Sequence, residues 1–396
     1  MNIIFVTYNT CARAAKEAKA LESAGHQVIV LQHVSVSEEI LYATELASFY
    51  NADQDLLERI AYFGDWAEVI HVHNEPNWMV KAAATVRNMA CPLVPIVFDV
   101  HDLDSMREDG SVDPTEDPAI KAADAFIFPS KAYDDGITGL YFLKGKPRRV
   151  IYSMCSRDDI VTDPLPRVNG IVYEGAIVAP LKAFNQQTPG YKKYRDYTDL
   201  SKELTAIQIP FHLYGVRNEF QPHYLKAGAV VHGMHRFPDM MRQLSRYDWG
   251  LCGHLDSHPQ WQKAMPNKLF EYIAAGIPVI SINAGEVGEF IETYGFGHQV
   301  KDADHLSAFM HDRNISDHHA EIVKKSRHKF TMESQVPEIE ALYAEAAAYR
   351  KGRLEAGLSM RDGHEGRKAD GKWACFGNKV ADPKDNSGGD KLQSVI

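Results

Sequence analysis

The chain has 396 residues, 45% of them hydrophobic and 24% charged, with a formal net charge of −10, which is length enough for two domains that each bury a core. The acidic balance argues against a nucleic-acid partner, which needs clustered cations to neutralise phosphates. Five widely separated cysteines, Cys11, Cys91, Cys155, Cys252 and Cys375, imply reduced thiols and a cytoplasmic protein instead of a disulfide scaffold.

The first ten residues lack a basic segment and a cleavage site, so they read as a buried strand over 3–7 and not as a signal peptide. No run reaches the roughly 18 apolar residues that span a bilayer, which leaves peripheral membrane contact as the membrane role still open. A helix is expected over 16–24, closed by Gly25, then a strand over 27–31. The rhythm repeats: strand 68–73, helix 78–89, strand 93–100, helix 117–124, strand 125–129, helix 133–142 and strand 149–152. Such alternation calls for a parallel sheet covered on both faces.

The stretch Asp163-Pro164-Leu165-Pro166 reads as a linker. Beyond it come strand 170–173, helix 200–207, strand 211–214, strand 229–232, helix 237–245, strand 249–252, helix 268–275 and strand 278–282. The expected fold class is α/β, with two doubly wound Rossmann-like domains, 1–162 and 167–335, facing across a ligand-binding cleft. A helix at 338–350 follows, and the polar chain from about residue 352 has too few large apolar groups to offset its ordering entropy, so it is expected to be disordered.

Eighteen histidines invite a metal reading. They are scattered, however: His71 and His73 alternate as strand neighbours, and no His-Glu-x-x-His or Cys-x-x-Cys spacing occurs, so no metal is expected. The densest chemistry lies in the string 264–280. Pro266 stands at a helix start, where its missing N–H is harmless. The amides of Asn267 and its successors are free donors for a diphosphate. Lys268 adds a point charge, and Glu271, one turn in, can accept hydrogen bonds from a vicinal diol such as a ribose. Leu269 belongs to the buried face, and Gly276-Ile277-Pro278 makes the return to a strand. Capping alone would explain the proline and the glycine, but neither Lys268 nor Glu271.

A second cluster, Phe98-Asp99-Val100-His101-Asp102-Leu103, ends an apolar strand. His101 has a pKa suited to proton transfer and can be oriented by a carboxylate. Asp102 or Asp99 could instead act as base on an acceptor hydroxyl, or both could be turn and cap residues. A third segment, His71 to Pro76, brings His73, Asn74 and Trp78 to the acceptor side of the cleft, or is merely a polar loop.

The string 266–280 resembles the donor-site signature of GT-B glycosyltransferases, especially those related to family 4, in the form P-x-K-x-x-E-x-x-x-x-G-x-P-V-I. The resemblance extends over about residues 1–345. It implies that Glu271 binds the ribose, that the segment Pro266–Leu269 meets the diphosphate, and that His101 is the cleft histidine near the transferred sugar. Glu174-Gly175 resembles the family's first strand end in the donor domain and Gly233 its base loop. Gly253 and His254 end the strand leading to the donor site. The late helix is similar to the segment that crosses back onto the acceptor domain. Two departures stand out. Lys263 occupies the place of a glutamate usual in retaining members, and after Glu174-Gly175-Ala176-Ile177 only Lys182 approximates the expected phosphate-facing cations.

The resulting expectation is metal-independent transfer of a sugar from a nucleotide-diphosphate sugar, the donor substrate, to a glycan, lipid-linked or small-molecule acceptor, with no other cofactor. A sugar-nucleotide epimerase and a non-catalytic nucleotide-sugar-binding protein are the competing readings.

Overall fold

The computed structural model describes residues 1–8, 12–33, 47–50, 53–101, 103, 114–143, 145–180, 193–310 and 312–357. Seven strands, β1 (Asn2–Thr7), β2 (Gln27–His33), β3 (Ala47–Tyr50), β4 (Val69–His73), β5 (Ile96–Asp99), β6 (Ala125–Phe128) and β7 (Arg148–Val150), form the first sheet. Their order is β3-β2-β1-β4-β5-β6-β7, and all neighbours are parallel. Successive β1 residues point to opposite faces, so Ile4 and Val6 join one core while Ile3 and Phe5 join the other.

The second sheet repeats the plan with β8 (Val168–Ile177), β9 (Phe211–Val216), β10 (Val230–Val231), β11 (Tyr247–Gly253), β12 (Val279–Ile282) and β13 (Gly297–Val300), in the order β10-β9-β8-β11-β12-β13. It too is parallel throughout and buried on both faces. Each sheet reverses its strand order beside its first strand, between β1 and β4 and between β8 and β11. In doubly wound sheets that reversal opens a crevice at the carboxyl ends, which is where ligands bind.

The expected alternation is present, with local differences. The strand expected over 93–100 begins only at Ile96, because Pro95 has no N–H to donate to the sheet. β3 and the helix Asp53–Phe63 had no counterpart in the sequence reading, although Leu56, Leu57 and Ile60 give that helix a buried stripe.

The last helix runs Met332–Glu355, with Pro337 inside it, and so starts earlier and ends later than the span 338–350. Met332 and Val336 are anchored in the core beside Ile3 and Phe5, which offsets the roughly 3 kcal/mol that an internal proline costs a helix. Leu342, Tyr343 and Ala346 continue that contact, and Arg350 donates from Nε to the Pro92 carbonyl at 2.9 Å. The two chain crossings between the sheets run side by side, with Met332 N–H donating to the Cys155 carbonyl at 2.9 Å. The tail expected to be disordered lies outside the described residues beyond Gly357. Among the described residues, no helix is long and apolar enough to cross a membrane, and Cys91, Cys155 and Cys252 are buried free thiols.

Candidate donor and acceptor site

The helix Asn267–Ala275 opens on Pro266, whose φ of −75° and ψ of 151° are those of an extended N-cap, and no side chain caps it. Its first amides therefore keep their capacity to donate to a ligand. Gly276 closes it in the left-handed region at φ 82°, which a glycine adopts without strain. Leu269 is fully buried, Asn267 is exposed and Lys268 half-buried.

Glu271 is only 8% exposed. Its Oε1 lies 3.5 Å from the Nζ of Lys16, a buried lysine of the first domain. Glu174, at the carboxyl end of β8, shares a hydrogen bond with Glu271; burial, then the adjacent Glu271 charge, pushes the Glu174 carboxyl well above its ordinary range. Beside it, Lys268 Nζ sits 5.0 Å from the Tyr173 ring centroid and 5.7 Å from that of Trp261. Burial opposes its charge, but Tyr173 and Glu174 outweigh burial and hold the ammonium above its ordinary value. Gly175 lies beside this lysine with φ 132°, a backbone conformation that favours glycine. Lys268, Tyr173 and Trp261 border a cavity of about 160 Å³ whose walls also include Pro266 and Arg195. Arg195 and Lys16 escaped the sequence reading. The basic run Lys192-Lys193-Tyr194-Arg195 was the available sign of the first. The second was hidden among the alanines of its helix.

Other expected donor-side residues have visible structural work. Gly253 has φ 100°, and a Cβ there would fall 1.9 Å from the Ile282 carbonyl oxygen, so close passage of β12 requires a glycine. Buried His254 places Nε2 2.7 Å from the Asp196 carbonyl oxygen, while its Nδ1 accepts from Asp256 N–H at 3.0 Å. An accepting Nδ1 makes Nε2 the donor, and His254 thus fastens the 193–197 segment to the end of β11. Gly233 is exposed just past β10, next to His232, which stacks on Tyr214 at 4.4 Å.

In the first domain, Arg13 Nε lies 2.8 Å from Asp99 Oδ2 and 3.0 Å from Glu17 Oε1. Asp99 Oδ1 lies 2.9 Å from His101 Nε2, the imidazole being 16% exposed. Burial works to raise the Asp99 carboxyl, but Arg13 and then His101 overcome it and hold Asp99 well below the usual carboxylate range. Asp99 is fully buried, and of the pair it is the His101 imidazole that keeps some exposure. Asn74, at φ 54°, accepts from His101 N–H at 3.2 Å. Asp102 lies outside the described residues, as does Lys182. Trp78 is half-buried against the core.

His73, expected on the acceptor side, is buried, stacked on His71 at 4.2 Å. Burial lowers the His71 pKa to about 3 and takes His73 well below its ordinary value. With Glu17 and Asp99 they form a group whose ligand atoms all lie within 4.8 Å of one another. The sequence spacing that led to an expectation of no metal could not register this group, because its members come from three separate elements.

A larger cavity, about 840 Å³, lies between the 117–146 region and the last helix, lined by Leu140, Phe142 and Tyr349 among others. It contains none of the residues singled out from the sequence.

Neither a family model nor a curated protein matches the chain. Solved structures do. An alpha-glucosyltransferase in complex with UDP-glucose and DNA containing an abasic site is similar at TM-score 0.61 and 10% identity, over 86% of this chain and 99% of that one. A structure of Anabaena Alr3699/HepE in complex with UDP and glucose has TM-score 0.61 and 13% identity over 86% and 99%. A glycosyltransferase from Rickettsia africae has TM-score 0.60 and 12% identity over 87% and 98%. At these identities the likeness establishes the fold, which is the GT-B architecture of two Rossmann-like domains.

One expectation is corrected by these structures. The acidic balance argued against a nucleic-acid partner, yet two of the similar structures are alpha-glucosyltransferases holding DNA. Net charge sums over the whole surface, whereas docking on phosphates depends on where individual cations stand.

Proposed function

We propose that the chain is a glycosyltransferase that moves a sugar from a nucleotide-diphosphate sugar, bound by the second domain, to an acceptor admitted over the first, and that its relatives are the family 4 enzymes. The observation that carries this reading is the double engagement of the helix Ala12–Ser23. Its Arg13 holds Asp99, which holds His101, while Lys16, one turn on, meets Glu271. One element of the first domain is thereby tied both to the donor helix and to the candidate reaction centre.

In this reading Glu271 accepts from the ribose hydroxyls. Asn267, Lys268 and Arg195 meet the diphosphate, and the helix start stabilises the leaving group as its charge develops. His101, kept in place by Asp99, contacts the transferred sugar, and Asn74 and Trp78 stand on the acceptor side. The transfer step draws on these charges and on no metal. Free buried thiols fit a cytoplasmic protein.

A thermal-shift screen across UDP-, GDP-, ADP- and CDP-sugars identifies the donor, since a ligand of the native state raises its stability. In calorimetry, Glu271→Ala is expected to weaken that donor roughly 10- to 150-fold, the equivalent of about 1.5–3 kcal/mol for hydrogen bonds to a charged group. An unchanged Kd would sink the donor assignment. The acceptor panel contains glycans, lipid-linked sugars, small molecules and DNA bearing an HMU base, the last because one similar structure holds such DNA. Conversion of the sugar nucleotide without any acceptor would replace transfer by epimerisation, and binding with no turnover across the panel would leave a binding protein.

A further inference from the structure

The buried group behind His101 is built from three directions. Glu17 comes from the first helix, His71 and His73 from alternate positions of β4, and Asp99 from the end of β5. All four are at most 1% exposed. His71 Nε2 lies 3.8 Å from Asp99 Oδ2 and 3.9 Å from Glu17 Oε2. His73 Nδ1 lies 3.5 Å from Asp99 Oδ2, and its Nε2 4.0 Å from Glu17 Oε2. In a tetrahedral site with metal–ligand bonds of about 2.0–2.2 Å, neighbouring ligand atoms stand about 3.3–3.6 Å apart. The group is therefore wider than a closed site, by a few tenths of an ångström at the contacts with Asp99 and Glu17 and by up to about 1.2 Å across the whole set, whose ligand atoms lie within 4.8 Å of one another.

Two details favour a metal over a packing accident. Buried polar atoms normally have hydrogen-bond partners, yet His71 Nε2 and both ring nitrogens of His73 have none. The other nitrogen of His71 is taken: Nδ1 stands 2.7 Å from the Tyr343 hydroxyl of the last helix. That is the outer-shell contact that fixes a ligating imidazole and points its second nitrogen at an ion. Arg13 approaches the group from one side, with Nε 2.8 Å from Asp99 Oδ2 and 3.0 Å from Glu17 Oε1, and leaves Glu17 Oε2 facing the two imidazoles.

We propose that Glu17, His71, His73 and Asp99 bind one divalent first-row transition metal of the zinc class. Two nitrogens and two carboxylate oxygens suit zinc or cobalt better than magnesium or calcium, which take oxygen ligands. Four protein ligands shut away from solvent make the site structural, with no open position for a reacting water. Such an ion would staple the first helix to β4 and β5 directly behind His101. It stands apart from the donor helix, and its occupancy is independent of whether the chain transfers sugar.

The test uses the full-length protein, stripped with a chelator and titrated with Co²⁺. The expected result is one tightly bound ion per chain with the visible d–d bands of four-coordinate cobalt, displaced by Zn²⁺, which also raises the Tm. His73→Cys should keep the ion and add a near-ultraviolet sulfur-to-cobalt charge-transfer band, while His73→Leu and Glu17→Gln should weaken binding at least 10-fold. Failure of the unmutated protein to bind Co²⁺ with these bands overturns the proposal, whatever the variants do. So does a cobalt spectrum unchanged in His73→Cys, which would place the ion among the other histidines.

Discussion

His212 shows how one buried side chain can set a pH limit on the second domain. It is 7% exposed, lies 3.0 Å from His232 Nε2 through Nδ1 and 3.3 Å from the Asn169 carbonyl through Nε2. Burial, followed by the His232 and Arg246 charges and opposed by Asn169 and Asp248, takes its pKa down to about 4. The unfolded chain has a histidine pKa of about 6.5. Above that value neither state carries the proton. Between it and the folded value only the unfolded chain does, so stability falls as pH falls through the window. The loss should reach roughly 2 kcal/mol by pH 5. Urea melts at pH 7 and pH 5 check it: His212→Gln should narrow the difference between the two midpoints, and an equal difference in both proteins would refute the assignment. At this same scale the site was only partly legible. Glu271 and Lys268 could be read because they fall inside one ordered string. Arg13, Lys16 and Glu17 could not, since a buried polar face on an alanine-rich helix looks like a solvated one until the neighbouring sheets are known.

Among the elements, the approach of β11 to β12 gives the sharpest contrast. At Gly253 a side chain would need φ 100° and would meet the Ile282 carbonyl, whereas a Cβ at Gly233 meets nothing within 4 Å. Gly253→Ala is therefore expected to destabilise by about 2–4 kcal/mol, and Gly233→Ala by no more than about 0.5 kcal/mol. Urea midpoints of the two variants test the pair, and comparable shifts would show that the strand spacing gives way. Helices bracketed by local signals were legible for the same reason that these glycines matter: Pro266 and Gly276 act on the backbone beside them. The helix Met332–Glu355 was misjudged at both ends, because its limits are fixed by a sheet far away in sequence and not by its own proline.

For the molecule as a whole, polar contacts among the described residues cross the seam between the domains. Ser130, N-cap of the helix Lys131–Leu140, accepts from Tyr133 N–H at 3.1 Å and donates to the Lys263 carbonyl at 2.6 Å. Glu286 of the second domain accepts from Ala132 N–H at 2.8 Å, so the same helix is capped across the seam. Polar interdomain contacts of this kind are compatible with opening and closing. Ser130→Ala combined with Glu286→Ala should enlarge the radius of gyration of the free protein in X-ray scattering, and a saturating nucleotide sugar should bring it back. Scattering identical to the unmutated protein would mean that the clasp holds nothing. The route of the last helix has a separate consequence, in the order of synthesis. Residues that finish one wall of the amino-terminal core are made after the whole second domain. The first half thus leaves the ribosome with the Ile3 and Phe5 face covered only in part, by the first helix, and the rest of that face stays open until the segment from Met332 onward has been made. A premature stop ahead of Met332 would therefore produce not a smaller working enzyme half but an unsealed one, fit mainly for chaperones and proteases.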